Sequence, residues 1–211
     1  MLIKPTNDMK KICFILAALC CLTTMEAKTN GIPSELFKDG KIKYEKATNT
    51  LIPEDGFKFS QSTGLVIFDT GKDLRIRLKG SAEFRASLLS KDNLIIEAEK
   101  PATLSITSNI SGSALQCPAL TVNKDATVSL FSRNSQEGMY ALSCDAISVN
   151  AATLLAEVTT ANLAVQTKQL NLNGSWLEKP KGGFVDKEKA CICYGDSLPA
   201  KRVRITLEKK Q

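Results

Sequence analysis

ALQCPALTV (114–122), ALSCDAISV (141–149) and AVQTKQLNL (164–172) are three copies of one phrase, set 27 and 23 residues apart. That spacing lies in the period range of solenoids, in which each repeat is one coil stacked on the next. Within the copies Leu120 and Val122, Ile147 and Val149, and Leu170 and Leu172 alternate with Thr121, Ser148 and Asn171. This period-two pattern marks a strand with one buried face. Each phrase is followed by a second alternating run: Val128 with Leu130, and Leu154 with Ala156, with Leu104 and Ile106 as an earlier copy. Turn-forming residues separate the runs at Lys91–Asn93, Asn123–Asp125 and Asn173–Gly174. Upstream, Leu74, Ile76 and Leu78 alternate with Arg75, Arg77 and Lys79, extending the coils toward the N-terminus in a less regular form. The expected fold is all-β: a single-stranded right-handed parallel β-helix, or β-solenoid, with short coils of about 23–27 residues. One coil buries too little apolar surface to offset its own backbone ordering, so coils must share an interior and the ends need caps. Val203, Ile205 and Leu207, interleaved with Arg202, Arg204 and Thr206, are the expected C-terminal cap, their charges discouraging edge pairing.

The N-terminus predicts export. Lys10 and Lys11 precede an uncharged apolar run, Ile12–Leu22, and Ala27 offers a small residue for cleavage. This is the layout of a secretory signal peptide, too short for a membrane span. The division that follows is a signal peptide at 1–27, an N-terminal extension at 28–39 and a β-helix domain at 40–211, with no transmembrane segment after the leader. The mature chain is expected in the periplasm, at the cell surface or outside the cell. Cys20 and Cys21 raise lipidation as an alternative, but Leu19 stands where a small residue is needed before the acylated cysteine. The mature part carries 25 basic and 20 acidic residues, a mildly cationic balance that serves solubility and leaves a polyanion open as partner.

Four cysteines remain after processing. Cys117 and Cys144 share one repeat slot, which Thr167 fills in the third copy, so the two thiols are expected to stack inward one coil apart. Free buried thiols and a disulfide between coils are both open, the former favoured because cysteine packs as a small hydrophobe. Cys191 and Cys193 form C-x-C, and with no histidine in the chain a zinc site is not expected.

The search for chemistry returns no catalytic constellation. Asp92, Asp125 and Asp145 fall at turns of different coils without a recurring slot. Histidine, D-x-D pairs and glycine-rich phosphate loops are absent from the sequence, so neither an enzyme nor a cofactor is expected. Binding has better candidates. Trp176, placed outward by the repeat, is positioned to stack on a sugar or to pack under Lys179–Phe184, while Tyr140 and Tyr194 fall at coil corners. Arg75, Arg77 and Lys79 share one strand face, either as a basic strip for an anionic polysaccharide or as an ordinary solvated face. Nucleic acid is not an expected partner, because no aromatics interleave with these charges.

Several segments together resemble a known family. GKIKYEKATNTLIPEDGFKF, DLRIRLKGSAEF, DNLIIEAEKPATLSITS, PALTVNKDATVSLFS and LNGSWLEKPKGGFV are similar to small secreted right-handed β-helix proteins of gut Gram-negative bacteria, over about Gly40 to Leu207. The motifs that carry the likeness are Tyr44 before Asn49-Thr50-Leu51, the strand Leu74, Ile76, Leu78 with Gly80, and the turn Pro180, Gly182, Gly183. The resemblance implies a relation to carbohydrate-binding β-helix domains. A noncatalytic glycan-binding module of the cell envelope is therefore the leading expectation, with a structural or adhesive solenoid and a divergent polysaccharide lyase as alternatives.

Overall fold

The computed structural model describes residues 28–108, 112–133, 139–159 and 163–207, with the side chains of 28, 29, 62 and 63 left aside. The expected leader lies outside the described residues. The described chain is built of strands that wind into a β-solenoid of about five turns. The first sheet stacks Thr50–Pro53, Leu74–Leu78, Leu94–Ala98, Ala119–Val122, Ala146–Asn150 and Gln169–Asn173, all parallel. Leu94, Leu120, Ile147 and Leu170 form one ladder of this sheet, as the repeat requires.

The other wall has two limbs. Phe57–Phe68 and Ser81–Ser90 are long strands that run through both. In later coils each divides into a longer piece and a two-residue piece: Ala102–Ser108 with Leu115–Gln116, Ala126–Ser132 with Leu142–Ser143, Thr153–Val158 with Val165–Gln166. The division explains why the phrase repeats only in the second half: hydrogen-bonded partners on neighbouring coils lie 20 residues apart between Asp73 and Asn93, and 27 apart between Asn123 and Asn150. The register of the long limb is unbroken across these coils.

Inward residues form one continuous core. Leu74, Leu94, Leu104, Val128, Ile147 and Leu154 are fully buried, and Phe84 packs its ring against Phe57 at 5.3 Å between centroids. The buried hydroxyls of Ser87 and Ser108 satisfy each other, 2.7 Å apart.

The ends are closed by antiparallel segments. At the N-terminus Ile42–Glu45 pairs with Thr50–Pro53, and Ile32 and Leu36 cover the first coil as part of the core. Gly31 sits at φ +80°, and its carbonyl accepts from Asp69 N–H at 2.9 Å; a Cβ there would collide with the Asp69 carbonyl. At the C-terminus the structure corrects the sequence reading. The Arg202–Leu207 strand is not an edge: it inserts antiparallel between Thr153–Val158 and Ser175–Lys179. Its arginines match acids on both neighbours, Arg202 with Glu157 at 3.2 Å and Arg204 with Glu178 at 3.1 Å. The charges thus face acids on both sides while Val203 and Ile205 are buried, and Leu177 reaches the Leu154 ladder through Ile205.

Candidate functional site

The phrase that sets the fold also builds the candidate site. Each coil passes from the short limb to the first sheet at a tight corner: Gln116-Cys117-Pro118, Ser143-Cys144-Asp145, and Gln166-Thr167-Lys168. Leu115, Leu142 and Val165 point inward, so alternation turns Gln116, Ser143 and Gln166 outward in one ladder. The corners are hydrogen-bonded coil to coil. Cys117 N–H donates to Ser143 O at 3.1 Å, Cys144 N–H to Gln166 O at 3.0 Å, and Thr167 N–H to Ala190 O at 2.8 Å.

Together these corners line an open groove of about 390 Å³. It runs from Leu89 and Ser90 on the second coil to Ala190 of the cap. Amides and hydroxyls dominate its polar lining: Gln116, Ser143, Gln166 and Thr167. Ser143 Oγ donates to Gln166 Oε1 at 2.7 Å, and Thr167 Oγ1 donates to the carbonyls of Asp145 and Gln169 at 3.2 and 3.0 Å. One carboxylate and one ammonium stand at the rim, Asp145 Oδ1 and Lys168 Nζ, 2.9 Å apart. Cys117 and Cys144 form the floor, both buried. The Cys117 thiol is held well above its usual range, first by its hydrogen bond with Cys144 and then by burial. Such a thiol is a poor nucleophile at neutral pH.

The groove has the groups that recognise hydroxyl-rich ligands. Amide side chains donate and accept at once, and hydroxyls do the same, which suits the mixed donor and acceptor edge of a sugar. Asp145 is the one acid among the lining residues and faces Lys168, so no second carboxylate stands opposite it as paired acid–base chemistry needs. Among the described residues no group of three His, Cys, Asp or Glu side chains converges as a metal site.

None of the five residues singled out from sequence lines this groove. Trp176 lies on Ser175–Lys179, outward as the repeat predicts and 44% exposed. Its neighbour Leu177 lies close to Gly183, where an added Cβ would collide with it. Tyr194 is exposed on the Cys191–Tyr194 strand, across from Leu198. Tyr140 is half-buried, with its N–H donating to Ser113 Oγ at 3.1 Å. Arg75 and Arg77 sit on the first sheet near the other end, bound to Glu97 at 3.3 and 3.0 Å, with Glu45 3.7 Å from Arg77. These carboxylates neutralise much of the strip. Of the turn aspartates, Asp92 accepts from the N–H groups of Thr70 and Gly71 at 2.9 Å and thereby ties two coils together. The signal for the groove was present in the sequence: the residue before the cysteine slot reads Gln, Ser, Gln in register.

A β-solenoid with closed ends and a polar groove across successive coil corners is the class that fold and site define. No protein-family model, curated protein or solved structure matches the chain.

Proposed function

We propose that this is an exported, noncatalytic glycan-binding solenoid of the cell envelope that holds a stretch of polysaccharide along the groove at the coil corners. The observation that carries the reading is the ladder of Gln116, Ser143 and Gln166, repeated at coil spacing above a rigid floor. A parallel stack places equivalent side chains about 4.8 Å apart. A polymer with its own short repeat meets the same kind of contact at each coil. The rim pair of Asp145 and Lys168 accommodates neutral or charged sugars. The resemblance to secreted β-helix proteins related to carbohydrate-binding domains agrees with this use, and the leader-like N-terminus with the location.

The test is retention on immobilised neutral and acidic polysaccharides. Replacing Gln116 and Gln166 by Ala is expected to abolish retention while leaving the fold intact by circular dichroism. Trp176→Ala is expected to leave retention unchanged, since Trp176 stands outside the groove. Retention lost with Trp176→Ala and kept in the groove variant refutes this placement.

A second reading, adhesion to another protein, is favoured by one observation. Among the described residues, five of the six exposed large apolar side chains, Trp176, Phe184, Tyr194, Leu198 and Leu207, lie in the last part of the chain, Leu65 being the exception. A defined dimer or partner complex that Tyr194→Ser with Leu198→Ser disperses supports that role.

A further inference from the structure

The Cys191–Tyr194 strand is the hub of the C-terminal cap. It pairs antiparallel with Val165–Gln166 through Gln166 and Cys191, with Phe184–Asp186 on its other side, and with Leu198–Pro199 at its far end. Cys191 and Cys193 alternate along this strand and so share one face. Ile192 between them joins the hydrophobic core, and the two thiols do not. Both cysteines are fully buried free thiols, and their sulfurs lie 3.2 Å apart in a mutual hydrogen bond. Across the ladder Asp186 stands opposite Cys191 and Phe184 opposite Cys193.

We propose that Cys191 and Cys193 close into a disulfide within this single strand, a C-x-C bridge at the centre of the cap. Two S–H bonds break and one S–S bond forms. The two protons and two electrons pass to the disulfide of an oxidant, glutathione disulfide or the active-site disulfide of a thiol oxidoreductase, which is cleaved to two thiols. The inference rests on the export proposed above, because a reducing cytosol keeps such a pair open. Folding sets the order of events. In the packed cap burial, with the neighbouring Cys193 thiol, pushes the Cys191 thiol up to about 12. Exchange needs the thiolate, so the bridge closes while the segment is still exposed and is sealed as the cap docks on Val165–Gln166.

Trypsin provides a direct assay, since cleavage after Lys189 and Lys201 releases both cysteines on the one peptide 190–201. The full chain is refolded in a reduced and oxidised glutathione buffer, denatured, alkylated without reduction and digested. The expected result is a 190–201 peptide lighter by two hydrogens and free of alkyl label, which takes up two labels after reduction. Two labels without reduction, or a link from this peptide to the one holding Cys117 or Cys144, overturns the proposal. The protein expressed with its leader in a Gram-negative host is fractionated in parallel. Recovery in the cytoplasm refutes export and leaves the refolding result to decide the bridge; recovery outside it with two unreduced labels refutes the bridge and leaves export standing.

Discussion

Asn49→Ala is the substitution whose outcome tests most of the reasoning about how coils are joined. Asn49 is 7% exposed and takes φ +51°, ending the turn that leads into the first parallel strand. Its Oδ1 accepts from Tyr44 Oη at 2.6 Å. Its Nδ2 donates to Thr70 Oγ1 at 2.9 Å and to the carbonyls of Lys72 and Asp73 at 3.1 and 2.9 Å. One side chain thus ties the N-terminal hairpin to the turn of the next coil. An amide has two N–H groups, so the three acceptors share them and about three independent bonds are lost at about 1 kcal/mol each. Alanine also tolerates the left-handed backbone worse than asparagine by about 1 kcal/mol. Thr70 and the Lys72 carbonyl regain water at the surface, which brings the net loss to about 3 kcal/mol. For a chain of this size that lowers Tm by about 6–12 °C. The measurement is thermal and urea unfolding by circular dichroism, with Trp176 fluorescence at the opposite end reporting whether the solenoid melts as one unit. Asn49→Gly keeps the backbone conformation and loses only the bonds, so it is expected to be the milder variant by about 1 kcal/mol, while Tyr44→Phe costs about 1 kcal/mol. A loss below about 1 kcal/mol for Asn49→Ala, or a glycine variant worse than the alanine one, refutes the account.

Ile147→Ala, in the fully buried ladder between Leu120 and Leu170, is expected to cost about 2–5 kcal/mol by denaturant titration, and Leu170→Ala clearly less because Leu170 is half-buried at the last coil. Asp55 accepts from Ser81 N–H at 2.6 Å and Ser81 Oγ at 3.1 Å, which holds its carboxyl below the usual range. A depressed folded pKa gives stability that is present above the unfolded value near 3.9 and is lost as pH falls through the folded one. The stability gap between wild type and Asp55→Asn should therefore be open at about pH 6 and shrink in acid; a gap that widens in acid reverses the assignment. Gly80→Ala would drive its Cβ into the Asp55 carboxyl group, so Gly80→Ala and Asp55→Ala together should destabilise by less than the sum of the single changes in the same titration.

The stack was legible because a buried strand face writes itself into sequence with period two, and Leu120, Ile147 and Leu170 keep that period in register. The motifs behind the family resemblance were legible as strings and acquire causes in the structure. Tyr44 and Asn49 are one hydrogen-bonded clamp, and Gly80 leaves room for Asp55. Gly183 leaves room for Leu177. The cap was misread because Arg202–Leu207 pairs with strands far back in sequence and in the opposite direction, a register no local pattern encodes. The groove's in-register Gln, Ser, Gln was legible but not decisive, since outward residues face water in every coil and only the groove at the corners separates Gln116, Ser143 and Gln166 from ordinary solvated side chains.

The same corner accounts for the division of labour along the coil. Ala126–Ser132 and Thr153–Val158 supply long ladders of hydrogen bonds and large aliphatic side chains, which stabilise the stack. Leu142–Ser143 and Val165–Gln166 are two residues long and contribute one inward side chain each. So short a strand adds little interior, and the chain can turn sharply after it only because Cys117, Cys144 and Thr167 are small enough to pack at the bend. A leucine in that slot would fill the floor and push Pro118, Asp145 and Lys168 outward, opening the angle that makes the groove. The small residue of the repeat thus ties the periodicity that builds the fold to the groove at the corners.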